Sequence, residues 1–145
     1  FVYLTMSGNL YKVDLSTSES DPTLSRIYPD DANTNLKIIQ FNVPTYATVE
    51  FTTLPYSCIA IDDSFNKTVC FYDGSNPIIK YNQSKTITTV VIKNDDKFEC
   101  YQVLLLDDGK LYEFDSSTIY LNNFIDSKIY NIISAVDKIY YVKIL

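Results

Sequence analysis

The sequence predicts an all-β fold, and three observations carry that expectation. Helical periodicity is weak along the chain, short apolar or alternating runs bounded by Asp, Asn, Gly or Pro recur throughout, and one hairpin pattern returns several times. Composition agrees. Of 145 residues 46% are hydrophobic and 14% aromatic, with 13 Tyr and 8 Phe against only 3 Gly and 5 Pro. β-Branched and aromatic side chains fit a pleated, half-buried surface, and the apolar mass suffices for one domain over 1–145 with its own core.

Taken in order, strands are expected at 1–6 and 9–14, joined through Ser7 and Gly8. The stretch 15–35, rich in Ser, Asp, Pro and Thr, reads as one long loop. Strands follow at 36–43, 47–54, 57–62 and 67–72, with Asp63 to Asn66 as the turn of the last pair. The next group is 77–82, 86–93, 100–106 and 110–115, with Gly109 in the turn, and the chain closes with 118–121, 129–135 and 138–144. Gly8 and Gly109 stand where a hairpin turn demands positive φ.

The repeat is the most specific signal. VYLTMSGNLYKVD at 2–14 aligns without gaps to VLLLDDGKLYEFD at 103–115. CIAIDDSFNKTVCFYD at 58–73 and ISAVDKIYYVKI at 133–144 follow the same grammar more loosely. Aligned on the second strand, Tyr11, Cys70, Tyr112 and Tyr140 share one position, with Val13, Tyr72, Phe114 and Val142 two residues on and hence on the same face. Tyr11 and Tyr112 are therefore expected in matching buried sites. Units of four antiparallel strands then span 36–73 and 77–115, and four strands in about 40 to 45 residues is the size of a β-propeller blade.

CYQVLLLDDGKLYEFD resembles the inner hairpin of the regulator of chromosome condensation repeat family, and CIAIDDSFNKTVCFYDG is similar to it more distantly. The resemblance implies propeller-like blades; the family's nucleotide-exchange and chromatin activities are not carried over. About three blade equivalents are counted, fewer than the four a closed propeller needs. The expectation is part of a larger or multi-chain assembly, with a β-sandwich as the alternative.

Chemistry is narrowed by what is missing. With no His there is no Ser-His-Asp or Cys-His pair, no imidazole base and no histidine metal ligand. The acid pairs Asp62-Asp63, Asp95-Asp96 and Asp107-Asp108 sit at strand-to-turn junctions, where Asp caps local N–H groups, and read as turn formers rather than calcium ligands or a glycosidase pair. No phosphate-binding glycine motif surrounds Gly8 or Gly109. No cofactor, metal or catalytic group is expected. A net charge of −6, with basic residues scattered singly, argues against nucleic acid and anionic membranes. No apolar run is long enough for a bilayer-spanning helix, so membrane insertion is not expected. The chain starts at Phe1 without Met, as a processed protein or a piece of a longer one would.

Cys58 and Cys70 flank their turn symmetrically and are expected opposite each other, either as a disulfide or as two buried thiols; Cys100 reads as core. Asn66 and Asn82 head N-x-Ser/Thr sequons near turns and are candidate glycosylation sites. Tyr28, Tyr46 and Tyr56, each beside a proline and outside the repeat, are candidate exposed partner contacts. The resulting expectation is a non-enzymatic interaction or scaffold module binding other protein subunits, intracellular or virion-associated. The alternative is a secreted or surface glycoprotein that binds a host protein or glycan.

Overall fold

The computed structural model describes residues 2–14, 23–30, 34–44, 55–71, 78–94, 97–114, 121–135 and 138–144. Among these residues the fold is all-β, with no helix. Thirteen strands form four antiparallel sheets in chain order. The first sheet holds β1 (Val2–Leu4), β2 (Leu10–Asp14) and β3 (Thr23–Tyr28). The second holds β4 (Lys37–Asn42), β5 (Ser57–Ile61), β6 (Lys67–Phe71) and β7 (Ile78–Lys80). The third holds β8 (Ser84–Asn94), β9 (Lys97–Leu106), β10 (Leu111–Phe114) and β11 (Leu121–Asp126), and the fourth pairs β12 (Ile129–Ala135) with β13 (Lys138–Lys143). Each sheet is a meander, and none closes on itself.

The sheets stack face to face, which explains why β5 and the last four residues of β9, Val103 to Leu106, are apolar at nearly every position. Successive side chains point to opposite faces, and here both faces are covered. Cys58 and Ala60 of β5 pack toward the first sheet with Leu10 and Tyr28, whereas Ile59 packs toward the third with Ile87 and Leu104. On β9, Leu104 and Leu106 face the second sheet, while Val103 and Leu105 face Ile129 and Ile132 of the fourth. Three apolar layers therefore separate four sheets.

The turns of 2–14 and 103–115 are built on the same pair of backbone hydrogen bonds. Thr5 N–H donates to Asn9 O and Gly8 N–H to Thr5 O; Leu106 N–H donates to Lys110 O and Gly109 N–H to Leu106 O. Both glycines have positive φ, 85° and 87°, as the αL residue of a three-residue hairpin loop requires. The turn of β5 and β6 is built alike, but Phe65 holds the αL place at φ 63°. Each glycine carbonyl then accepts the N–H of the next sheet's first strand, Ile38 from Gly8 and Ile129 from Gly109, both at 2.9 Å.

Several sequence expectations are corrected. The long loop of 15–35 contains β3, whose Ser and Arg obscured the alternation. The unit boundaries lie one strand later than expected, because β7 pairs with β6 and β11 with β10. The turns set the register. They align Tyr11 with Thr68 and Tyr112, and Val13 with Cys70, so the proposed alignment of the second copy slips by two residues while keeping its face. The last hairpin corresponds to β4 and β5 rather than to the glycine-turn hairpin, since Ile129 takes the place of Ile38. Tyr11 and Tyr112 do match, but both are half-buried: Tyr11 stacks on Tyr3 on the outer face of the first sheet, and Tyr112 meets Phe124 edge-on. The fully buried matching pair is Leu10 and Leu111. The expected strand at 47–54, the pair Asp95-Asp96, and Tyr72, Asp73 and Asp115 lie outside the described residues.

Candidate functional site

The first strands of three successive sheets, β4, β8 and β12, meet along a polar seam. As the edge strand of its sheet, β8 needs partners for its outward N–H groups. Side chains of β4 supply them: Gln40 Oε1 accepts from Ile87 N–H at 3.0 Å and Asn42 Oδ1 from Thr89 N–H at 3.1 Å. Gln40 Nε2 also donates to Thr86 Oγ1. The seam continues into the fourth sheet, where Ser134 Oγ bonds Thr88 Oγ1 at 2.8 Å and accepts from Asn42 Nδ2 at 3.4 Å. Asn42 thus touches two sheets besides its own. Sequence reasoning passed over these residues because isolated Gln, Asn and Thr in a strand look like its solvent face. Amides and hydroxyls do not titrate near neutral pH, so the seam offers binding and alignment rather than acid or base.

Beside it lies a second polar group that finds no partner. Gln102 is fully buried, with neither Oε1 nor Nε2 hydrogen-bonded, and its cross-strand neighbour Thr89 has an unpaired Oγ1; so does Ser57, which pairs with Asn42 on the facing sheet.

Cys58 and Cys70 stand opposite each other across β5 and β6, as their spacing suggested, and both are free, buried thiols. A hydrogen bond shared with Cys70, together with burial, holds the Cys58 thiol well above its ordinary range; Cys70, favoured by that same bond, is lowered. Tyr28 and Tyr56, expected as exposed contacts, are instead 3% and 4% exposed. Their rings pack 6.5 Å apart between the first and second sheets. The adjacent prolines mark strand ends here rather than protruding loops. Burial, and then the neighbouring Cys70, push the Tyr28 phenol far above its ordinary range. Tyr46 lies outside the described residues.

Asn66 and Asn82 are exposed and meet each other: Asn82 Nδ2 donates to Asn66 Oδ1 at 3.0 Å, while Asn82 Oδ1 accepts from Lys67 N–H. They border a polar cavity of about 360 Å3 together with Asn35, Asp62 and Lys80. Asp62 anchors the adjoining turn. Its carboxylate accepts the N–H groups of Asn66 and Ser64, at 2.9 and 2.8 Å, and those bonds hold its pKa below the usual carboxylate value. A carboxylate depressed in the folded state stabilises above its unfolded pKa and loses that contribution as pH falls through the folded one. In an acid titration followed by NMR, the Ser64 and Asn66 amides are expected to shift together, with a midpoint below that of a free Asp. A midpoint at the free-Asp value would break the assignment. Asp107 and Asp108 also serve local structure, Asp108 Oδ1 accepting from Lys110 N–H and Asp107 lying 3.6 Å from Lys67. Among the described residues no cluster of three metal-ligating side chains occurs.

The fourth sheet leaves its outward face uncovered. Ile133, Tyr140 and Val142 are 67%, 56% and 62% exposed, at positions equivalent in the second sheet to Asn42, which is half-buried, and to Ser57 and Ile59, which are buried. Comparisons with protein-family models, curated proteins and solved structures find no match to this chain.

Proposed function

We propose that this chain is a non-enzymatic scaffold module, built of propeller-type blades, that joins other protein subunits through the outward face of its last sheet. The observation that carries this reading is the exposure of Ile133, Tyr140 and Val142, two of whose equivalents in the second sheet, Ser57 and Ile59, are fully buried. An apolar patch of that kind on a sheet marks an interaction surface. Two further features support the blade architecture: four-stranded meanders follow one another in chain order, and Asn42 reaches both later sheets, as first strands gathered near one axis would allow.

Light scattering is expected to give a mass above the 16.6 kDa of one chain, rising with concentration. The double variant Ile133→Glu/Val142→Glu should return it to the monomer with an unchanged circular dichroism spectrum, since both side chains are exposed and carry little of the core. A wild-type chain that stays monomeric at every concentration overturns the reading.

A further inference from the structure

Among the described residues the fourth sheet has two strands where the second and third have four, and the edge of β13 that is unpaired among them adjoins an apolar groove. Ile144 N–H donates to Lys128 O on the β12 side. Donors alternate along an antiparallel strand, so Ile139, Tyr141 and Lys143 direct their N–H and C=O groups away from β12, toward the open edge. The side chains of Ile139 and Tyr141 point back to the third sheet and form one wall of a groove of about 350 Å3, with Tyr101, Val103, Leu111 and Ile125 among its other lining residues. Val103, Leu111 and Ile139 belong equally to the apolar layer between the third and fourth sheets, so the groove continues an existing interface beyond the last strand.

We propose that the open edge of β13 accepts an extended segment of a partner protein as an added antiparallel strand, its alternate apolar side chains filling this groove. Strand addition supplies affinity through backbone pairing and specificity through pockets for alternate side chains. The repeat defines the chemistry of the occupant. Equivalence of β13 with β5 and β9 places the added strand where β6 and β10 lie, so the residue paired with Tyr141 stands in the place of Cys70 and Phe114. An apolar, preferably aromatic residue belongs there, with an aromatic two residues before it, as in Leu-Tyr-Glu-Phe at 111–114. A segment running parallel to β13 does not satisfy this register. The acceptor edge is a different set of atoms from the outward face proposed above for subunit contact, and the two are tested separately.

The probe is a labelled peptide of residues 109–116, Gly-Lys-Leu-Tyr-Glu-Phe-Asp-Ser, titrated against the whole chain by fluorescence anisotropy. Saturable binding is expected. In β10 the Tyr112 and Phe114 amides are the ones that face β9, because Leu106 and Lys110 open the ladder as a bonded pair. N-methylation of the peptide's Tyr and Phe should therefore weaken binding by about tenfold or more, the scale of a lost hydrogen bond or two. N-methylation of its Leu and Glu should leave binding unchanged, and the variant Ile133→Glu/Val142→Glu should bind the parent peptide as wild type does. Absence of saturable binding, or equal binding of the two methylated peptides, overturns the proposal whatever the oligomeric state.

Discussion

Gly8→Val is expected to be among the most damaging single substitutions in the chain, costing about 2 to 5 kcal/mol as the sum of left-handed backbone strain and overpacking. Two independent penalties combine. At φ 85° a β-branched residue is strained, and a Cβ at this position would stand 2.6 Å from Lys37 Cβ, 2.9 Å from Lys37 Cα and 3.0 Å from Ile38 N. Two of those three atoms are backbone, so a rotamer change cannot relieve the clash. The shift would also break the bond from Ile38 N–H to Gly8 O. Gly109 has the same φ but looser surroundings, with its nearest atoms at 3.3 Å, and Gly109→Val should cost less. Phe65 is the internal control, holding the same turn position with a side chain 79% exposed. Phe65→Gly should keep or gain up to about 1 kcal/mol, the relieved strain offsetting the added chain entropy. Urea unfolding of the three variants checks the ordering, and a Gly8→Val protein as stable as wild type would sink the turn argument.

Phe71→Ala is expected to cost about 3 to 5 kcal/mol, the range of buried aromatic truncations. Among the described residues Phe71 is the largest fully buried side chain, and it packs with Ile59, Val69, Ile87 and Leu104 between the second and third sheets. Both faces of that layer are held by backbone ladders, so collapse around the missing ring is limited and much of the cavity should persist. Tyr112→Ala, at the half-buried rim of the same layer, should cost clearly less. Thermal and urea denaturation distinguish the two; equal losses would mean that the layer does not centre on Phe71.

What the sequence made legible follows from where local chemistry is strict. The αL requirement at Gly8 and Gly109, and the alternation on either side, exposed the hairpins directly, and the opposition of Cys58 and Cys70 followed from symmetric spacing about a turn. The strand at 23–28 was obscured because Ser25 and Arg26, both exposed, break its apolar pattern while Ile27 and Tyr28 do the packing. The sheet boundaries misled for a related reason. β7 and β11 lie at the sheet margins, where partial exposure admits Lys and Asn, so they carry little pattern of their own. Tyr28 and Tyr56 show the limit of reading a proline as a sign of exposure. The seam of Gln40, Asn42, Thr88 and Ser134 was invisible because its partners come from three sheets, and no spacing within one strand announces a contact between strands 46 or more residues apart.

The bonds from Ile38 to Gly8 and from Ile129 to Gly109 have a bearing on sequence drift. Each ties a turn to the next sheet through a main-chain donor and a main-chain acceptor, so the link between those sheets is made by atoms that a side-chain substitution does not itself remove. The second residue after each turn glycine is a fully buried leucine, Leu10 and Leu111, whereas Lys67 takes that place in the hairpin whose turn residue is Phe65. Two hairpins joined to their next sheets in this way can differ in most of their side chains while keeping one corner geometry.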